Sequence, residues 1–183
     1  LYAEILAHAG QPRARLFAPV QVRLLRSIVD RLCQGNQLPH YASLRTKPGF
    51  ITALQTIIEE LKRARIEPEE FSAAVLGMSA NLGEIASIYN YYQDWLLAQD
   101  WADPEGQGWL AALGLANNPQ LESGLRLLVV TGFDEFTPTQ LGVLTLLAQR
   151  SDETIITLTG VLEPPHRLTH RRFRRAQQAI TTA

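Results

Sequence analysis

The segment Leu125-Arg126-Leu127-Leu128-Val129-Val130, followed by Thr131-Gly132-Phe133-Asp134-Glu135-Phe136 and then by Thr137-Pro138-Thr139-Gln140, decides the fold class of this chain. Residues 125–130 form a short, nearly continuous apolar run rich in β-branched side chains, as expected of a strand buried on both faces of a parallel sheet. Thr137 to Gln140 spells a capping box. The threonine hydroxyl can accept from the amide of Gln140, the glutamine side chain can reach back, and Pro138 fills the first helical position, where no N–H is needed. The helix so started is predicted to run to about Gln149, with Leu141, Leu144, Thr145 and Leu147 or Ala148 toward the sheet. Thr154 to Leu158 reads as a second strand, completing one β-α-β unit. Two strands make a poor sheet, so further strands are expected outside this stretch.

Upstream of Leu125 the pattern is helical. Leu16, Val20, Leu24, Ile28 and Leu32 recur every four positions and predict an amphipathic helix. Gln34 to Thr46, with Gly35, Asn36, Pro39 and Ser43, reads as a long connection. Lys47-Pro48-Gly49-Phe50 opens a second helix with Phe50, Leu54, Ile57, Ile58 and Leu61 inward and Glu59, Glu60, Lys62 and Arg63 toward solvent. Pro68-Glu69-Glu70 starts a short helix through about Leu76, its carboxylates at the positive end of the helix dipole. After a break over residues 77–83, the stripe Ile85, Ile88, Tyr89, Tyr92, Trp95, Leu96 marks another helix. Asp103 before Pro104 caps the next, which ends near Asn117-Asn118-Pro119. The region before Leu125 is thus read as entirely helical. The prediction is an α/β chain: a mainly helical region over residues 1–120, then a parallel β-α-β unit within residues 121–183.

The bulk numbers bound the function classes. With 183 residues and 46% hydrophobic content the chain can bury a sizeable core. A formal net charge of -1 gives no global attraction to phosphates, so any nucleic-acid contact must come from a local patch. The lone Cys33 excludes an internal disulfide framework and an all-thiolate metal cage within the chain, and fits a reducing compartment. No run of about 18 apolar residues exists, and Leu1-Tyr2-Ala3-Glu4 lacks signal-peptide character, so the location is read as cytoplasmic. The start at Leu1, with Met78 the only methionine, reads as an internal piece of something longer.

The strand, the Thr131–Gln140 segment and the helix that follows resemble the Walker B region of superfamily 1 helicases. In active members the strand ends in an Asp-Glu pair, followed by Phe-Gln-Asp and a glutamine at the next helix start. Aligned on Phe133 and Gln140, the acidic pair falls on Thr131 and Gly132, and neither can hold magnesium or polarise a water as a carboxylate does. Asp134-Glu135 lies three residues further on, which places it in the loop beyond the expected strand.

The strand end with Gly-Phe, then Phe-Thr-Pro and Gln, resembles the AddB-type subunits of bacterial helicase-nucleases that process double-strand breaks. Lys47-Pro48-Gly49-Phe50, Glu60-Leu61-Lys62-Arg63, Ile88-Tyr89-Tyr92 and Asp100 to Asp103 follow in the order that family shows, so the resemblance spans roughly residues 15–160. It implies a helicase accessory (1B-like) region over residues 1–120 and, from 121, part of a RecA-like P-loop core whose Walker B positions Thr131, Gly132, Phe133 and Gln140 are degenerate. The same resemblance implies a catalytically active AddA-type partner, DNA bound through the parent protein, and an iron-sulfur cluster and magnesium in a separate nuclease module. No cofactor or metal is expected in this chain, which holds neither a Gly-x-x-x-x-Gly-Lys-Ser/Thr loop nor cluster cysteines.

Four further features have plainer readings beside the functional ones. Glu60-Leu61-Lys62 matches half of a nuclease signature but rides a helix, where the strand geometry that converges carboxylates on a metal is missing. His166 and His170 stand one helical turn apart without a third ligand and read as solvated. The tail carries Arg167, Arg171, Arg172, Arg174 and Arg175, candidate DNA contacts against the plainer reading of a solvated or partner-facing helix. The tryptophans and tyrosines read as core rather than as a base-stacking platform. The expected role is a non-catalytic helicase-like part of a break-processing subunit. The alternatives are an active superfamily 1 helicase using Asp134 or Glu135 for magnesium, and a helical interaction module with no DNA role.

Overall fold

The computed structural model describes residues 1–158. Seven α-helices dominate these residues, with two parallel pairs of strands. In chain order they are α1 (Tyr2–His8), β1 (Ala14–Arg15), α2 (Ala18–Gln34), α3 (Pro48–Arg63), α4 (Pro68–Val75), α5 (Ala80–Ala98), β2 (Trp101–Ala102), α6 (Pro104–Asn117), β3 (Leu125–Phe133), α7 (Pro138–Ala148) and β4 (Ser151–Leu158). The class is α/β, as read, and no described helix is long and apolar enough to cross a membrane.

Most of the helical reading holds, with changes of face. α2 buries Leu24, Leu25, Ile28, Val29 and Leu32, whereas Val20 is largely exposed and the buried Leu16 precedes the helix. The physical reason is drift: residues four apart advance about 40° around a helix, so a strict four-residue row leaves the buried side within two turns. α3 and α5 supply the opposite walls, with Ile51, Leu54 and Ile58 against Ile85, Ile88, Tyr89, Tyr92 and Leu96. Trp95 and Trp101 meet edge to face at 5.9 Å on the margin of this first core.

The expectation that everything before Leu125 is helical is corrected by β1 and β2. They pair in parallel, Ala14 opposite Trp101 and Arg15 opposite Ala102, closed by bonds from the Ala14 amide to the Asp100 carbonyl and from the Leu16 amide to the Ala102 carbonyl. A two-residue ladder is too short to leave a period in the sequence.

A second core joins Ile5 and Leu6 of α1, Ala111, Ala112 and Leu115 of α6, Leu121, and Val143 and Leu147 of α7. Gly108 sets the closest approach of α6 to α7, since a Cβ there would stand 2.9 Å from Thr139 Cγ2. β3 and β4 pair in parallel around α7, as a β-α-β unit requires. The strand was expected to be buried on both faces, but Leu127 (51% exposed) and Val129 (55%) are open, while Leu125, Leu128 and Val130 are turned inward. With two strands in the described sheet, α7 covers one face and nothing described covers the other. On α7 the inward row is Thr139, Val143 and Leu147, and Thr145 is exposed, because the helix faces α6 as well as the sheet.

Candidate functional site

The strand end singled out from sequence is a bulge. From Val130 to Phe133 β3 advances three residues while β4 advances two, from Ile156 to Leu158, so one residue of β3 is extra. Gly132 takes φ +84°, a conformation that costs glycine nothing and strains other residues. Thr131, Gly132 and Phe133 are all exposed. The Phe133 ring lies 5.1 Å from that of Phe136, which ties the strand end to the entry of α7. Because the strand runs to Phe133 rather than Val130, the exposed Asp134 and Glu135 follow its last residue directly. They lie in the loop between β3 and α7, as expected.

The capping box forms as predicted. Thr137 Oγ1 accepts from the Gln140 amide at 3.2 Å, and Gln140 Oε1 accepts from the Thr137 amide at 2.8 Å. The Gln140 side chain is therefore committed to its own helix end.

Among the described residues the most buried ion pair lies elsewhere. Lys62, expected at the surface, is 1% exposed, and its Nζ donates to Asp103 Oδ2 at 2.8 Å. The Tyr92 hydroxyl donates to the same oxygen at 2.8 Å, and the Gly106 amide donates to Asp103 Oδ1 at 2.7 Å, capping α6. The ammonium also sits 5.4 Å from the Tyr92 ring centroid and 5.9 Å from that of Trp109, whose indole N–H donates to the Lys62 carbonyl at 3.0 Å. Burial lowers the Lys62 pKa, opposed by the Asp103 carboxylate beside it. Burial likewise raises the Tyr92 phenol, with Asp103 adding to the effect. One carboxylate thus receives three donors from α3, α5 and the α6 amide, which docks the three helices. The sequence carried a signal for this: Lys62 continues the Leu54, Ile58 row at four-residue spacing.

A second buried carboxylate, Glu84, accepts from the His40 and Tyr41 amides at 3.0 and 3.1 Å and meets His40 Nδ1 at 2.5 Å, anchoring the α2–α3 connection. Glu60 is on the exposed side of α3, paired with Arg63 at 3.1 Å, so the nuclease-like triplet is split between surface and interior. Among the described residues no group of three His, Cys, Asp or Glu side chains is placed to hold a metal. His166, His170, Arg167, Arg171, Arg172, Arg174 and Arg175 lie outside the described residues.

Comparison with known families places this architecture. The AddB N-terminal family model matches residues 6–181. The chain belongs to this family. Its curated relatives include proteins named as subunits of an ATP-dependent helicase/deoxyribonuclease. That of Desulforamulus reducens is 24% identical over 157 residues, 81% of this chain and 13% of the relative. That of Oceanobacillus iheyensis is 25% identical over 169 residues, 85% of this chain and 14% of the relative. That of a Thermoanaerobacter species is 31% identical over 124 residues, 65% of this chain and 10% of the relative. The chain therefore spans a small part, 10–14%, of the length of these relatives. Family membership matches the resemblance read from the strand end and its flanking motifs.

Proposed function

We propose that the chain is a non-catalytic, helicase-like part of one subunit of a bacterial helicase-nuclease that processes DNA breaks in the cytoplasm, contributing architecture and DNA guidance beside a catalytically active AddA-type partner. One observation carries the non-catalytic half: the Walker B-like strand ends in a glycine bulge, Thr131-Gly132, that offers no carboxylate to a magnesium ion or a water. Family membership supports the DNA-processing half. Magnesium and an iron-sulfur cluster belong, in this reading, to a nuclease module of the parent protein. The RecA-like core is likewise part of the proposal, with β3, α7 and β4 as one of its units.

A second reading has an observation of its own. β3 runs on to Phe133, so Asp134 and Glu135 stand at the carboxyl end of a parallel strand, where open α/β sheets bind ligands. In that reading the pair serves magnesium in an active helicase. Thermal unfolding of the full-length protein with and without magnesium-ATP decides between them, using Asp134→Asn/Glu135→Gln. The first reading expects the double variant to keep whatever nucleotide-dependent stabilisation the wild type has. Loss of that stabilisation in the variant, with the fold intact, establishes the second.

A further inference from the structure

The outward face of α2 carries Arg23, Arg26 and Arg31, with Ser27 and Gln34 between and beside them and Asp30 as the one acid. These six line a shallow depression on the side opposite the core residues Leu25, Ile28, Val29 and Leu32. We infer that this face is a binding surface for the phosphodiester backbone of DNA; the inference rests on the proposed DNA-processing role and names a contact surface for it.

Three observations carry it. The first is unspent charge. Arg63 of α3, by comparison, meets Glu60 and Glu105 at 3.1 Å and Glu59 at 3.9 Å. The ion pairs of the described residues do not include Arg23, Arg26 or Arg31, although Asp30 lies within the same face. Three guanidinium groups against one carboxylate make a local positive strip on a chain of net charge -1. The second is spacing. Arg23 and Arg31 are eight residues apart, about 12 Å along the helix axis, which spans about three to four phosphates of one strand along a duplex. The third is what the face lacks. None of the six residues that line the depression is aliphatic or aromatic, whereas the centre of a protein interface is apolar and enriched in aromatic anchors. A row of forked donors with a hydroxyl and an amide interleaved suits phosphate oxygens, which arginine binds two at a time.

The test uses the full-length protein that carries this chain, with its partner subunit present, and fluorescein-labelled single-stranded and duplex oligonucleotides read by anisotropy. Arg23→Gln, Arg26→Gln and Arg31→Gln are combined, and a second variant replaces all three by lysine. These side chains lie outside both cores, and unchanged circular dichroism and thermal midpoint verify the fold. Each lost phosphate contact removes about 0.7 from the slope of log affinity against log salt on single strands. Three lost contacts therefore remove about 2, so a salt increase from about 50 to about 200 mM costs the glutamine variant roughly twentyfold less affinity than the wild type. The lysine variant recovers most of the slope, and the effect is independent of base sequence. A glutamine variant with wild-type affinity and slope overturns the inference while leaving the proposed function standing. So does a variant that keeps DNA affinity but no longer co-elutes with the partner subunit, which makes the face a protein contact. A wild-type protein that binds neither oligonucleotide defeats this inference and the proposed function together.

Discussion

Asp103→Asn tests the central claim about how the helices are held. The asparagine carbonyl can still accept from the Gly106 amide, so the α6 cap, worth about 1 kcal/mol, is retained. What changes is the partner of Lys62. A neutral amide replaces the carboxylate, and the ammonium at 1% exposure loses its compensating charge. Removing one member of a buried ion pair costs about 3–5 kcal/mol, a large share of the roughly 5–15 kcal/mol that holds a domain together. Lys62→Met removes the charge itself and leaves Asp103 with the Tyr92 hydroxyl and the Gly106 amide, for a cost near 3 kcal/mol, the lower end of that range. The double variant has no unpaired charge. It should lie well above the sum of the singles, with a coupling of at least about 2 kcal/mol. Urea unfolding followed by circular dichroism and by fluorescence of Trp109, which lies over the ammonium, measures all three. Single variants within about 0.5 kcal/mol of wild type, or effects additive to that precision, would refute the buried pair.

Two other outcomes follow from the same packing. Gly108→Ala places a methyl 2.9 Å from Thr139 Cγ2 and 3.2 Å from the Tyr2 ring, so it destabilises by about 1–3 kcal/mol despite alanine's better helix propensity. Thr139→Ser, which removes that methyl, recovers part of the loss; a Gly108→Ala variant more stable than wild type would show that α6 and α7 do not approach this closely. The second outcome is a pH dependence of two signs. Lys62 has its folded pKa lowered below 10.5, so the unfolded chain binds more protons over that interval and this residue's contribution to stability rises with pH up to 10.5. Tyr92 and Tyr89 are raised above 10.0, so the unfolded chain releases protons first and stability falls as pH climbs past 10.0. Urea midpoints across pH should therefore show a shallower alkaline loss in Tyr92→Phe and a missing rise in Lys62→Met; parallel profiles in all three proteins would contradict the burial assigned to these groups.

What was legible in the sequence was local. The Thr137–Gln140 box spells its own hydrogen bonds within four residues, and Asp103 before Pro104 announces a cap that forms as written. The Tyr89 and Tyr92 stripe is visible because one helix face meets one core. The role of Asp103 as the receptor for Lys62 was not visible, because the pair is 41 residues apart and residue type argued for solvent where position argued for burial. Register was equally hidden: nothing in Val129-Val130-Thr131-Gly132-Phe133 states that one residue is extra, since that depends on β4, some 25 residues later. The α2 arginines sit where any amphipathic helix carries a polar face, and what marks this one is three arginines lining one depression with a single acid, Asp30.

The bulge also bears on how the strand end should be compared with an active motif. Side chains alternate along a regular strand, so an inserted residue reverses which face each later residue takes. Without the insertion, Asp134 would share the face of the buried Val130, two pairs of residues earlier. With Thr131 and Gly132 sharing one ladder position opposite β4, Phe133 takes the Val130 face instead, and its contact with Phe136 at the entry of α7 agrees with that assignment. Asp134 and Glu135 follow in the exposed loop before α7, past the last paired residue of the strand. An alignment that slides the acidic pair onto the strand end by counting residues ignores this reversal. In the proposed reading the Phe133–Phe136 pair and the capped helix keep the outline of the motif, while Thr131 and Gly132 leave its acidic positions without a carboxylate.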